Sequence, residues 1–201
     1  MSKVILKAIT MEYLVKLISE NKYITSCFSN KKKDITSLSY LITRDLSQSD
    51  CIKLGNGVEK LLVDLVSQNS VVTNIKPKNK KGAKEKDHLF CDENTKTIYY
   101  AELKANINLD TEKSKATYTK CLDIVEKLKE EYPGYSIKWC LLGYRYLNYN
   151  DISTTIQKKY KCIDANLYGI NQYLTMLNID LQFTNEQYKE FLNNIADAMF
   201  N

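Results

Sequence analysis

Histidine, arginine, glycine and proline are scarce in this chain, and the shortages close off whole classes of chemistry. Among 201 residues there is one His, His88. A single imidazole excludes HxH metal clusters, the HExxH helix of zinc proteases and the HNH-type metal arrangement. A Ser-His-Asp triad would have to use His88, and no GxSxG elbow accompanies it. With only 6 Gly, the chain contains neither GxxxxGK[ST] nor GxGxxG, so no nucleotide cofactor is expected. The 6 cysteines (Cys27, Cys51, Cys91, Cys121, Cys140 and Cys162) never come closer than nineteen residues. Without a CxxC or CxxxC pair, a zinc ribbon or finger is not expected. No apolar run approaches the roughly 18 residues of a membrane span. The N-terminal MSKVILKAIT lacks the apolar core and cleavage site of a secretory leader. The expectation is a cytoplasmic protein with no membrane association and with reduced, mostly buried thiols.

What is present is a globular composition, 44% apolar, with a net charge of +5. A chain of this length buries roughly 70% of its unfolded surface and needs no disulfide or structural metal to fold. A single domain over 1–201 is expected. The positive charge comes from 27 Lys and only two Arg, Arg44 and Arg145, and it permits a polyanion partner. The 18 Asn and 15 Tyr are consistent with an AT-rich coding bias and form the background for any functional reading of those residues.

Helical spacing of Met11, Leu14, Leu17 and Ile18 predicts a helix over 11–21 with Thr10 as its cap. Residues 35–50 predict a short helix. From Leu54 a stripe of Val58, Leu61, Leu62, Leu65 and Val66 predicts a helix to about Gln68, with Asn56 and Glu59 as a capping box. Val71–Ile75 is a short β-branched run. Residues 85–91 and 97–105 then predict an antiparallel hairpin around a polar turn. A helix from Asp110 or Thr111 to about Glu131 follows, stopped by Tyr132-Pro133-Gly134. Residues 136–144 are nearly all apolar, as expected of a buried central strand. Short helices are expected at 150–157 and 170–177, and Thr184 caps a last helix over 185–199. A strand leading through a long helix to another strand is a crossover unit. The fold class expected is α/β (α+β): a mixed central sheet flanked by helices.

One group of residues carries chemistry. Glu102 and Lys104 stand two apart on a strand and therefore share a face. The hairpin places Asp87 opposite or diagonal to Glu102. Two carboxylates so close repel, and a hard cation relieves the repulsion. Mg²⁺ suits such a pair, because it takes oxygen ligands and keeps several waters that a phosphate oxygen can replace.

Asp87…Glu102-Leu103-Lys104, on strands within this order of elements, resembles the PD-(D/E)xK nuclease signature, and the chain resembles a small type II restriction endonuclease. The resembling core runs from about 54 to 144, with helical segments at 1–50 and 150–201. The resemblance implies a restriction-endonuclease-like sheet and Mg²⁺-dependent hydrolysis of phosphodiesters in double-stranded DNA. It implies Asp87, Glu102 and Lys104 as catalytic residues. The first two would be metal ligands, and Glu59 on the preceding helix would be a further catalytic acid and metal ligand. A Pro often precedes the Asp in this family, and Lys86 stands there instead. Cutting both strands of a palindrome suits a homodimer.

Between Lys76 and Lys86 there are six Lys and one Glu. Lys78, Lys80, Lys81 and Lys84 in this loop are candidates for DNA-backbone contacts or a plain solvated surface. Asn106 and Asn108 either read adenine or shape a turn, with the turn favoured. Arg145 and Asn148, in YRYLNYN, are candidate base readers. His88 must face away from Asp87 and is expected to be structural, while Trp139 is expected in the core. Two other functions remain open: a structure-specific repair or junction-resolving nuclease on the same core, and a non-enzymatic nucleic-acid-binding protein.

Overall fold

The computed structural model describes residues 9–25, 48–76, 86–161 and 166–200. The chain divides into two compact units, Ser70–Ile179 and a helical unit of Met1–Asn69 with Asp180–Asn201.

The helical unit contains α1 (Met11–Ser19), α2 (Lys22–Thr25), α3 (Gln48–Asn69) and α7 (Asn185–Phe200). Thr10 caps α1 by accepting a hydrogen bond from the Tyr13 N–H at 3.2 Å. Tyr13 in turn donates to Gln68 at 2.8 Å and accepts from Asn69 at 3.0 Å, which ties α1 to the end of α3. A capping box of Thr184 and Gln187 starts α7. Helix α3 corrects one expectation. It begins at Gln48, so Asn56 and Glu59 lie inside it and form no capping box. Gly57, in its middle, lets α2 approach closely, because a Cβ there would stand 2.9 Å from Ile24 Cγ1. The helix expected at 35–50 falls largely outside the described residues.

The second unit is built on a 5-stranded mixed sheet in the order β1-β2-β3-β4-β5. Its strands are β1 (Thr73–Asn74), β2 (His88–Asp92), β3 (Thr97–Lys104), β4 (Ser136–Gly143) and β5 (Leu167–Tyr168). The first three pair antiparallel, and β3, β4 and β5 run parallel. The β3–β4 crossover is α4 (Thr111–Glu131), capped by Asp110, which accepts from the Lys113 N–H at 2.8 Å. Beyond β4 come α5 (Thr154–Lys161) and α6 (Ile170–Met176). The sheet and its helices make the α/β class expected from the order of elements.

Side-chain alternation sorts the two faces. Leu89, Cys91, Ile98 and Tyr100 meet Cys121, Ile124, Val125 and Leu128 of α4, with Trp139 packed at the margin. On that same face, Leu141 and Leu167 meet Ile156 and Tyr160 of α5. The other face carries His88, whose Nδ1 lies 2.6 Å from the Tyr173 hydroxyl of α6. The buried, structural His88 is therefore as expected. Cys91, Cys121 and Cys140 are buried free thiols.

The sequence reading missed β5 and overstated the burial of β4. Strand β5 covers only Leu141 and Leu142 of its neighbour, so the first half of β4 is a partly exposed edge. Two residues with no alternating pattern give no strand signal. Gly169 makes this corner possible, since a Cβ there would stand 2.7 Å from the Leu147 carbonyl and the Asn148 nitrogen. In place of a side chain, the Ile170 and Asn171 N–H groups donate to the Tyr146 and Leu147 carbonyls at 2.9 and 3.0 Å.

The face assigned to α4 has a measurable consequence. Leu128 is fully buried, whereas Leu122 is 38% exposed. Leu128→Ala should cost about 2–5 kcal/mol and Leu122→Ala less than about 1 kcal/mol in urea denaturation. Equal losses would place a different face of α4 on the sheet.

Candidate functional site

The ladder between β2 and β3 ends with His88 opposite Ala101. One residue further on, Asp87 comes opposite Glu102. Asp87 itself lies just before β2 rather than inside it. Its Oδ2 accepts a hydrogen bond from the Leu103 N–H at 2.7 Å. The carboxylate thus takes over where the ladder stops, satisfying a strand N–H that has lost its backbone partner.

Glu102 projects onto the α4 face from a strand with neighbours on both sides, and its side chain is only 2% exposed. A carboxylate at that depth has to be paired. Lys104 Nζ donates to Oε1 at 2.7 Å. Lys120 Nζ, from α4, lies 2.8 Å from both Oε1 and Oε2. The Tyr100 hydroxyl donates to Oε2 at 3.1 Å. Burial opposes ionisation of Glu102, but Lys104 and Lys120 outweigh it and hold the carboxyl below the usual range. Asp87 has the opposite balance. Burial, reinforced by the negative charge of Glu102, pushes its carboxyl up to about 6 despite the Leu103 N–H and the more distant lysines. For Lys120, the hydrogen bond and charge of Glu102 overcome burial and raise its pKa.

The structure therefore brings Asp87, Glu102 and Lys104 together and adds Lys120, which the sequence reading did not single out. Lys120 lies one helical turn before Ile124, on the flank of the α4 stripe that packs against the sheet. That position was the available signal, hidden among 27 lysines. Glu59 is half-buried on α3 in the helical unit. Lys78, Lys80, Lys81 and Lys84 lie outside the described residues. Asn106 Oδ1 accepts from the Asn108 N–H at 2.8 Å, which makes the turn that was favoured for this pair. Asn148 Oδ1 accepts from the Asn171 side chain at 3.1 Å, so its amide helps hold the corner at Gly169. Arg145 is half-buried just past β4. It follows Tyr144, whose N–H donates to the Lys104 carbonyl at 3.2 Å.

Among the described residues no group of three or more His, Cys, Asp or Glu is placed so that it could hold a metal ion. That does not suit zinc, which takes three such ligands plus a water in catalytic sites and four in structural ones. Two carboxylates do suit Mg²⁺, which is typically held by one or two plus waters and substrate phosphate. Asp87 is half-buried and, among the described residues, forms no ion pair, so it is the group such a cation would satisfy. No described helix is long and apolar enough to cross a membrane. No family model matches the chain, and no curated protein or solved structure matches it significantly.

The raised pKa of Asp87 fixes a sign. Between the ordinary carboxylate range near 4 and about 6, the folded protein binds more protons at this group than the unfolded chain does. Stability from Asp87 is therefore present at low pH and lost as pH rises through that window. Asp87→Asn keeps an acceptor for Leu103 but cannot ionise. Its stability relative to wild type should increase by about 1–3 kcal/mol from pH 4 to pH 7. A difference independent of pH in denaturant titrations would contradict this environment for Asp87.

Proposed function

We propose that the chain is a Mg²⁺-dependent DNA endonuclease of restriction type, with a restriction-endonuclease-like core in which Asp87 and Glu102 hold the metal. The observation that carries this reading is the convergence of Asp87, Glu102 and Lys104 at one end of adjacent strands. The mixed sheet with its β3–α4–β4 crossover supports it. Bound there, Mg²⁺ would supply positive charge to the phosphate oxygens and lower the pKa of a water.

The chain's own residues divide the remaining work. Asp87 is held by the Leu103 N–H and so presents a fixed carboxylate. Glu102 is positioned from below by Tyr100. Lys104 is anchored on Glu102 while about a third of its side chain stays exposed, so its ammonium can orient the attacking water and screen charge on the phosphate. Water oxygen bonds to phosphorus and gives up a proton to solvent as the bond to the 3′ oxygen breaks, and the departing oxygen takes up a proton from solvent. Arg145 leaves β4 beside Lys104 and is suited to reading guanine. Cleavage of both strands at a symmetric site suits a homodimer.

A second reading also rests on an observation. Glu102 is fully engaged by its neighbours, which is what a purely structural ion-pair network would look like. A protein that binds nucleic acid without cutting it would then result.

Single-turnover cleavage of duplex DNA at saturating enzyme and Mg²⁺ separates the two. Asp87→Ala and Glu102→Ala should lose cleavage while still binding DNA. Lys104→Ala should lose about 10²–10⁴-fold in the chemical step. Folded variants that cut within tenfold of wild type would remove these residues from the active site. Arg145→Ala should weaken binding to the cognate site by about 1–3 kcal/mol, and to random DNA by much less. Equal losses on both would take Arg145 out of recognition.

A further inference from the structure

We propose that Lys120 is a displaceable internal cation: it holds Glu102 while the site is free of metal and releases it when a divalent cation binds, turning its ammonium toward the substrate phosphate. The inference rests on the metal-site reading above and assigns a role to a residue outside the Asp87, Glu102 and Lys104 set.

Glu102 is already saturated with donors. A carboxylate offers about four lone-pair directions. Glu102 uses them on Lys104, on Tyr100 and twice on Lys120. A cation can bond to Glu102 only if one of these donors withdraws. Tyr100 is buried and has little freedom to move. Lys104 belongs to the same strand, two residues away, and stays beside Glu102 even if its contact lengthens. Lys120 differs from both. It comes from α4 and not from the strand that carries Glu102, and its side chain, at 31% exposed, is as open to water as that of Lys104 at 32%. It can swing into water without moving β3. It also spans both oxygens of Glu102, the arrangement a bidentate cation would adopt.

Charge points the same way. Two carboxylates and two ammonium groups sum to zero, so the site is neutral as it stands. A divalent ion brought against Glu102 repels an ammonium in the same place. A DNA phosphate beside the metal restores negative charge and gives the released ammonium a partner. In this arrangement Lys120 competes with the metal for Glu102. It lowers metal affinity and keeps the buried carboxylate charged and oriented when no metal is bound.

The test uses the full chain and metal alone. Mn²⁺ and Mg²⁺ binding is measured by calorimetry for wild type, Lys120→Met and Lys120→Gln, with melting curves to confirm folding. Loss of the competitor should tighten metal binding by about tenfold or more. In parallel, the rate of amine labelling at Lys120 is followed by mass spectrometry in wild type with and without Mg²⁺. Labelling should become faster when metal is present. This second readout decides the matter if neither variant folds. Metal binding with unchanged or weaker affinity in the folded variants, or with unchanged Lys120 labelling, overturns the displacement and leaves the metal site standing. Failure of wild type and variants alike to bind either ion overturns both.

Discussion

A carboxylate at the depth of Glu102 imposes conditions on everything around it. It projects from a strand flanked on both sides, under a helix, with almost no contact with water. An ion there is tolerated only when paired and hydrogen-bonded. The pairing requires Lys104 on the same strand face, Tyr100 two residues earlier, and α4 in the register that brings Lys120 across. The register of α4 follows from the packing of Cys121, Ile124, Val125 and Leu128 on the sheet. Core packing and site chemistry are thus one constraint, and a shift of α4 that repacked the core would also strip Glu102 of a partner.

Asp87 shows what the same environment does to a carboxylate without that support. It comes opposite Glu102 and accepts a strong hydrogen bond from the Leu103 N–H. Burial and the neighbouring negative charge leave it reluctant to ionise. An amide at this position would make the same bond at no electrostatic cost. The unequal pair, one carboxylate oversupplied with positive charge and one undersupplied, is the physical basis of the function proposed for this corner. Such separation of two acids by environment is a recurrent mark of functional sites.

Much of this was legible in the residues. The hairpin, the crossover helix and the Asp110 cap follow from alternation, helical spacing and capping chemistry, and together they place Asp87 across from Glu102. Three features were hidden, each for its own reason. Helix α3 extends back to Gln48 through Gly55, Asn56 and Gly57, residues that read as a helix start. Close packing against Ile24 explains Gly57, and no local signal reveals it. Strand β5 is two residues long and exists because Gly169 admits another stretch of backbone. Spacing puts Lys120 on the flank of the α4 stripe, one turn before Ile124, but which of the 27 lysines meets Glu102 is a tertiary fact.

The activity proposed for this corner of the sheet is hydrolysis of DNA with a divalent cation. Incubation of the wild-type chain with phage DNA tests it directly, in Mg²⁺ and in chelator, with products resolved on a gel. Discrete fragments that appear with Mg²⁺ and vanish with chelator are the predicted result. Intact DNA across a range of Mg²⁺ and Mn²⁺ concentrations, from protein shown to be folded and DNA-bound, would contradict it.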